Sequence, residues 1–102
     1  MPCVDLPNGR QVIIKKLKPS LITRLNKQIV EYAKQGDVTK ASSIQRYLDD
    51  LRKKIMSGEL ATCDKIGEGP DHQHVFRWGQ LFVNVTDVEY QTVNVSVNNL
   101  NG

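Results

Sequence analysis

The sequence has little that would cross-link a small protein. It contains two cysteines, Cys3 and Cys63, among 102 residues. A chain of this length buries roughly two-thirds of the surface that its unfolded form exposes, so it needs neither a disulfide nor a metal in order to fold. We therefore expect a single domain over residues 1–102, with free thiols and with mobile ends at 1–10 and 98–102.

Long apolar runs are absent as well. No stretch approaches the roughly 18 residues of a membrane span, and the first ten residues lack the basic and apolar regions of a secretory signal. These two absences predict a cytoplasmic protein with no membrane partner.

The common catalytic motifs are missing too. There is no Gly-rich phosphate loop, no Ser-His-Asp set and no Cys-x-x-Cys pair. His72, His74 and Cys63 do not make a structural zinc site, which requires four closely spaced ligands. We therefore predict no metal and no cofactor. Because histidine ordinarily changes its charge near neutral pH, any ribonuclease chemistry would begin with His72 or His74, and Arg77 is the third catalytic candidate.

Charge is abundant but unevenly distributed. Residues 10–54 contain 12 Lys or Arg against 4 Asp or Glu, whereas residues 55–102 contain 2 against 6. Such an asymmetry points to an acidic or polyanionic partner for the first half, although the basic residues can equally well solvate the outer faces of two helices. The candidate partner-binding or nucleic-acid-binding residues are Lys15, Lys16, Lys18, Arg24, Lys27, Arg46, Lys53, Lys54 and Arg77.

The hydrophobic periodicity predicts the fold. A strand is expected at 11–17, and helical spacing of apolar residues then runs over 19–35 and again from about 39 to 57. Beyond Gly58 the period changes to two, which predicts strands at 60–66 and 72–78 and, from the alternating residues of 81–97, two more. The predicted class is α+β, with an N-terminal strand and a two-helix antiparallel hairpin packed on one face of a three- to four-stranded antiparallel sheet.

The segment "HQHVFRW" decides which sheet face is buried. In an extended strand Phe76 and Trp78 share one side, and Val75 and Arg77 share the other. Large aromatic side chains gain most from burial, so the aromatic side is expected to face the core. Arg77 is then exposed, either to bind a phosphate or carboxylate or to pair with Asp87 or Glu89, and the two histidines lie near the rim of the core.

The element order and the segment "VFRWGQLFVNVTD" resemble the RelE/ParE superfamily of toxin–antitoxin toxins. In that family an aromatic-Arg strand, a Gly turn and a second aromatic strand follow two helices, and here Phe76, Arg77, Gly79 and Phe82 occupy those places. The resemblance implies a small basic protein that binds an acidic or amphipathic antitoxin and acts on ribosome-bound mRNA or on DNA gyrase. Family nucleases usually carry a second arginine in the strand after the Gly turn and further basic, tyrosine or histidine residues near the C-terminus. The segments "LFVNVTD" and "VSVNNLNG" contain none of these, so a gyrase-type or purely binding member is favoured.

Three functions follow as hypotheses. The first is a RelE/ParE-like toxin, or a binding protein derived from one, that engages a host macromolecule through the basic hairpin and the Arg77 face. The second is a phage or mobile-element inhibitor or adaptor that binds a host nucleic-acid enzyme without catalysis. The third is a histidine-dependent ribonuclease, for which RNA would be the substrate. The sequence does not specify an oligomeric state.

Overall fold

The chain runs from a strand into a helical hairpin and then into the rest of a sheet. This is a computed structural model, and it describes residues 9–93. Strand β1 spans Gln11–Leu17, helices α1 and α2 span Pro19–Lys34 and Val38–Ser57, and strands β2 to β5 span Ala61–Ile66, Gln73–Trp78, Leu81–Asn84 and Val88–Thr92. Short 3-10 turns occupy Gly69–Asp71 and Val85–Asp87.

Three of the helix boundaries follow from local chemistry. Pro19 occupies the start of α1, where its fixed φ suits the first turn and its missing N–H costs nothing. At the start of α2 the Asp37 carboxylate accepts a hydrogen bond from the backbone N–H of Lys40, at 3.1 Å. Helix α2 ends at Gly58, whose φ of 74° is left-handed and favours glycine. The predicted helical hairpin is confirmed.

The five strands form one antiparallel sheet in the order β4-β3-β2-β1-β5. The predicted α+β class, with a strand, a helical hairpin and an antiparallel sheet, is therefore confirmed. The sheet is larger than expected because β1 lies inside it, between β2 and β5, and does not stand at its margin.

The boundaries after Gly79 differ from the predicted ones. The alternation of Val83 and Val85 suggested one strand through both residues, but β4 ends at Asn84 and Val85 begins a 3-10 turn. Strand β5 begins at Val88, which is buried. The predicted strand through residues 93–97 lies almost entirely outside the described residues, as do most of both predicted mobile ends.

The connection between β4 and β5 bends the sheet. These strands are its two edges, and four strand spacings in a flat sheet would separate them by about 19 Å. From Asn84 to Val88 the chain has only four Cα steps, or about 15 Å fully extended, and the 3-10 turn shortens that span further. The sheet must therefore curve strongly so that its edges approach each other. The turn itself contacts both β3 and β5.

The aromatic side of β3 faces the core, as predicted. Phe76 and Trp78 are 0% and 1% exposed. They belong to a hydrophobic cluster that also contains Leu21 and Leu25 of α1 and Leu48 and Leu51 of α2, together with inward-facing residues of every strand. The Trp78 indole Nε1 donates a hydrogen bond to the backbone carbonyl of Glu59 at 3.0 Å, so the polar atom of this side chain is satisfied inside the protein.

Cys63 corrects the prediction of free thiols. This residue is 2% exposed, and its sulfur is in a disulfide bond. Backbone hydrogen bonds from Gly9 N to Cys63 O (2.8 Å) and from Cys63 N to Arg10 O (2.7 Å) hold the chain that enters β1 alongside β2. Cys3 lies outside the described residues. Disulfides persist mainly in oxidising compartments, so this bond does not support the cytoplasmic location, which stays a prediction.

Candidate binding surface

A basic groove lies where the end of β1 meets the two helices. Its volume is about 310 Å³. Lys15 and Lys16 of β1 and Arg52 of α2 supply its positive charge, and the apolar part of its lining comes from Leu17, Ile22, Ile55 and Met56. We call this set of seven residues the basic groove.

A β-bulge places two adjacent lysines on the groove. In a regular strand Lys16 would follow Val12 and Ile14 onto the buried side. The pairing of β1 with β5 shifts register between Ile14 and Lys16, which is the effect of one extra residue in a strand. Consequently Lys15 and Lys16 are both exposed, and Leu17 becomes the next buried side chain.

The apolar lining of the groove is open to solvent at one point. Leu17 is buried, and Ile22 and Ile55 are half-buried against the core. Met56, the next residue of α2, is 86% exposed, the highest value among the large hydrophobic side chains of the described residues. Exposed aliphatic surface and three cations thus line the same groove.

These cations are available to a partner. Within residues 9–93 none of Lys15, Lys16 and Arg52 takes part in an ion pair. Glu89 is the Cα partner of Lys16 across β1 and β5, but no ion pair closer than 4 Å joins them. The groove therefore carries net positive charge.

Arg24, by contrast, is committed to a structural contact. Its Nη2 donates to the Oδ2 atom of Asp87 at 3.0 Å, and the Asp87 side chain is only 12% exposed. The Tyr47 hydroxyl donates to the backbone carbonyl of Phe82 nearby. Burial raises the pKa of Tyr47 above its usual 10.0, the Asp87 charge raises it further, and the Arg24 charge opposes both. Arg24, which was predicted to bind a partner, therefore joins α1 to the β4–β5 connection.

Lys53 and Lys54 line a second cleft, of about 510 Å³, near Trp78. Its charge is mixed, because Asp50 and Glu59 line it as well and Lys54 pairs with Glu59 at 2.8 Å. Neither lysine lines the basic groove.

The other predicted basic residues are dispersed. Lys18 is half-buried at the start of α1, where its backbone N–H donates to Asp87 O at 2.9 Å. Lys27 lines a shallow cleft on α1 together with Glu31, and Arg46 is exposed on α2. Of the nine predicted residues, Lys15 and Lys16 are the two that line the basic groove.

Arg77 points away from the core, on the opposite side of β3 from Phe76 and Trp78. Its partner is Asp64, with 3.6 Å between Nε and Oδ2. The predicted pairing of Arg77 with Asp87 or Glu89 is therefore wrong, and Asp87 pairs with Arg24 instead. Both side chains of the Arg77–Asp64 pair are more than 30% exposed, so the pair is weak and a ligand can displace it.

The three catalytic candidates do not all lie on one side of the sheet. His72 and His74 are half-buried, and their Nε2 atoms lie 3.1 Å apart. His74 falls on the same side of the strand as Phe76, whereas Arg77 falls on the other. The arginine is therefore not positioned to act on a group held by the histidines.

Sequence reasoning missed Arg52, Met56 and the two isoleucines of the basic groove. The signal was present in α2, where Arg52, Ile55 and Met56 are three and four residues apart and so share one helix face. Its significance depends on β1, because only the bulge brings Lys15 and Lys16 beside that face.

No family model, curated protein or solved structure matches this chain. Within residues 9–93 no helix is both long and apolar enough to cross a membrane.

Proposed function

We propose that this protein is a non-catalytic binding protein whose basic groove docks an acidic segment of a partner protein, with an apolar side chain of that segment covering Met56. One observation carries the proposal, namely that an exposed methionine and three cations line the same groove. Methionine is flexible and polarizable, so it adapts to the shape of an incoming side chain. The cations favour carboxylates at the edge of the contact.

A protein segment suits this groove better than a nucleic acid does. Sequence-tolerant binding of single strands uses aromatic side chains on which bases stack, and the groove lining is aliphatic. Phe82 is the one exposed large aromatic side chain of the described residues, and it does not line the groove. A phosphate backbone would use the three cations but would leave Met56 exposed to water.

The RelE/ParE expectation is a narrower form of the same proposal. An acidic antitoxin is one partner with the required chemistry, and a host nucleic-acid enzyme bound through an acidic surface is another. Arg77 lies on the opposite side of β3 from His74, whose imidazole contacts His72, and this separation supports binding over RNA cleavage.

The test uses defined peptides. An acidic amphipathic peptide with leucine anchors is titrated by fluorescence anisotropy, beside a peptide of equal charge without apolar residues and a basic amphipathic peptide. We expect the acidic amphipathic peptide to bind more tightly than the other two, and its affinity should fall as the salt concentration rises. Met56→Asp should weaken binding of the acidic amphipathic peptide by about tenfold or more, since burying a methionine is worth about 1.5–3 kcal/mol. Arg52→Glu should weaken it by about tenfold or more as well, because it reverses one of the three positive charges of the groove.

The matched control is Lys27→Glu, which makes the same charge change on α1 outside the groove. It should retain binding to within about threefold, because only long-range attraction is lost. Equal losses in the Lys27 and Arg52 variants would reduce the effect to net charge and refute the groove.

A growth assay addresses the toxin form separately. The protein is expressed in bacteria with and without any small acidic protein that a neighbouring gene encodes. Arrested growth that the neighbour relieves supports the toxin form. Unaltered growth in both cases would refute the toxin form of the proposal, whereas the docking of an acidic segment would still be decided by the peptide titration.

A further inference from the structure

The two histidines form a compact unit at the start of β3. His72 follows the 3-10 turn Gly69–Asp71, and His74 is the second residue of the strand. Their ring centroids are 4.8 Å apart and the rings are perpendicular. Both side chains are half-buried, and their Nε2 atoms face each other at a distance of 3.1 Å.

The contact of His72 with the turn fixes its tautomer. Its Nδ1 atom lies in hydrogen-bond contact with the backbone carbonyl of Gly69. A carbonyl oxygen only accepts, so Nδ1 carries the proton, and Nε2 of the neutral ring presents a lone pair. His74 Nε2 therefore donates to that lone pair, and the proton of a neutral His74 lies on Nε2.

This arrangement matches half of a transition-metal site. Two nitrogens bound at about 2.0–2.1 Å to one tetrahedral zinc ion are about 3.3 Å apart, close to the separation of these two atoms. Histidines that bind metals almost always donate their other ring N–H to a carbonyl or carboxylate, as His72 does to Gly69. We propose that His72 and His74 bind one divalent transition-metal ion, such as Zn²⁺ or Cu²⁺, through their Nε2 atoms.

Binding requires one proton to move. The Nε2 proton of His74 leaves to solvent while Nδ1 of the same ring takes up a proton, so the ring stays neutral and no net proton is released. The ion replaces the hydrogen bond between the rings and binds both Nε2 atoms.

The site is open. Within residues 9–93 no third His, Cys, Asp or Glu joins the pair in a ligand cluster, so water or a ligand from a second molecule fills the remaining positions. Lys65 is the Cα partner of His74 across β2 and β3, and its charge opposes the ion. Glu68 and Asp71 are exposed in the adjoining loop and favour it. The site therefore differs from the closed four-ligand zinc site that the sequence excludes.

Calorimetric titration of the full chain tests the proposal. The protein carries no polyhistidine tag, and reductant is omitted so that the Cys63 disulfide stays closed and offers no thiolate. Zn²⁺ and Cu²⁺ should each bind with one equivalent, whereas Mg²⁺, which prefers oxygen ligands, should not bind. His72→Asn and His74→Asn should each weaken binding by about tenfold or more, since even second-shell losses reach that size.

Gln73→Ala is the matched control, because Gln73 lies between the two histidines and points to the other side of the strand. Its affinity should equal that of the wild type. NMR of the wild-type imidazole nitrogens gives a result that does not depend on how the variants fold, and both Nε2 signals should move with one equivalent of Zn²⁺. Unmoved signals, or a stoichiometric affinity that survives in both histidine variants, would overturn the site.

Discussion

Replacing each of the two phenylalanines by leucine tests which side of the sheet forms the core. Phe76 and Phe82 lie on adjacent strands, and Phe76 is 0% exposed whereas Phe82 is 43% exposed. The same substitution therefore samples the two sides of one sheet, with identical chemistry and opposite environments.

Phe76→Leu should lower the free energy of unfolding by about 2 kcal/mol. The ring of Phe76 packs edge-on against Tyr90 with centroids 4.7 Å apart, a contact worth about 0.5–1.5 kcal/mol. Loss of buried carbon adds about 0.8 kcal/mol for each methylene equivalent. Phe82→Leu should cost less than about 0.5 kcal/mol, as is usual for substitutions on the surface.

Urea unfolding measures the difference. Trp78 is the only tryptophan and is buried, so its fluorescence reports unfolding in the wild type and in both variants, and far-UV circular dichroism checks that the transition is two-state. With an m-value of about 1–3 kcal/mol/M, Phe76→Leu should lower the midpoint by about 1 M. Equal costs for the two variants, or a larger cost for Phe82→Leu, would mean that the sides are inverted and that Arg77 belongs to the core.

Two further predictions concern the cluster that joins α1 to the β4–β5 connection. Asp87→Asn should lower the free energy of unfolding by about 1–3 kcal/mol, because Arg24 loses a partner whose side chain is 12% exposed. Asp64→Asn, at the exposed pair with Arg77, should lower it by less than about 1 kcal/mol. Chemical denaturation measures both values, and equal costs would contradict the structural role of Asp87. The pKa of Tyr47 is raised in the folded state, so the contribution of this residue to the free energy of unfolding is constant below pH 10. Stability is lost as the pH rises from 10 through the folded-state pKa, because over that range the hydroxyl is ionised only in the unfolded state. Tyr47→Phe should remove that loss, as measured by unfolding between pH 9 and pH 11, and a slope unchanged by the substitution would contradict the assignment.

The helices and the buried side of β3 could be predicted from the sequence because local patterns determine them. Apolar spacing identifies α1 and α2, and the size of Phe76 and Trp78 decides which side of the strand is buried. Strand limits after Gly79 could not be predicted in this way. Val83, Val85 and Val88 are all buried, but the change from strand to 3-10 turn between them depends on the sharp passage to the other edge of the sheet.

The candidate site was predicted only in part, and the reason is again non-local. The basic residues were evident as a cluster in the sequence, but their availability depends on partners that are far away along the chain. Arg24 is neutralised by Asp87, 63 residues later. Similarly, the bulge that exposes both Lys15 and Lys16 results from pairing with β5. The disulfide of Cys63 was missed because the prediction rested on an assumed cellular compartment.

These ion pairs also explain how the uneven charge of the sequence becomes a localised surface. Acidic residues of the second half neutralise cations of the first half where the two meet, at Arg24 with Asp87 and at Lys54 with Glu59. Lys15, Lys16 and Arg52 form no such pairs among the described residues, and they line a groove together with exposed aliphatic surface. An acidic partner would therefore be attracted by the whole basic half, and at the basic groove it would also gain contact with Met56, the most exposed large hydrophobic side chain of the described residues. For that reason charge reversal at Arg52 and at Lys27 should differ in effect, although each changes the net charge by the same amount.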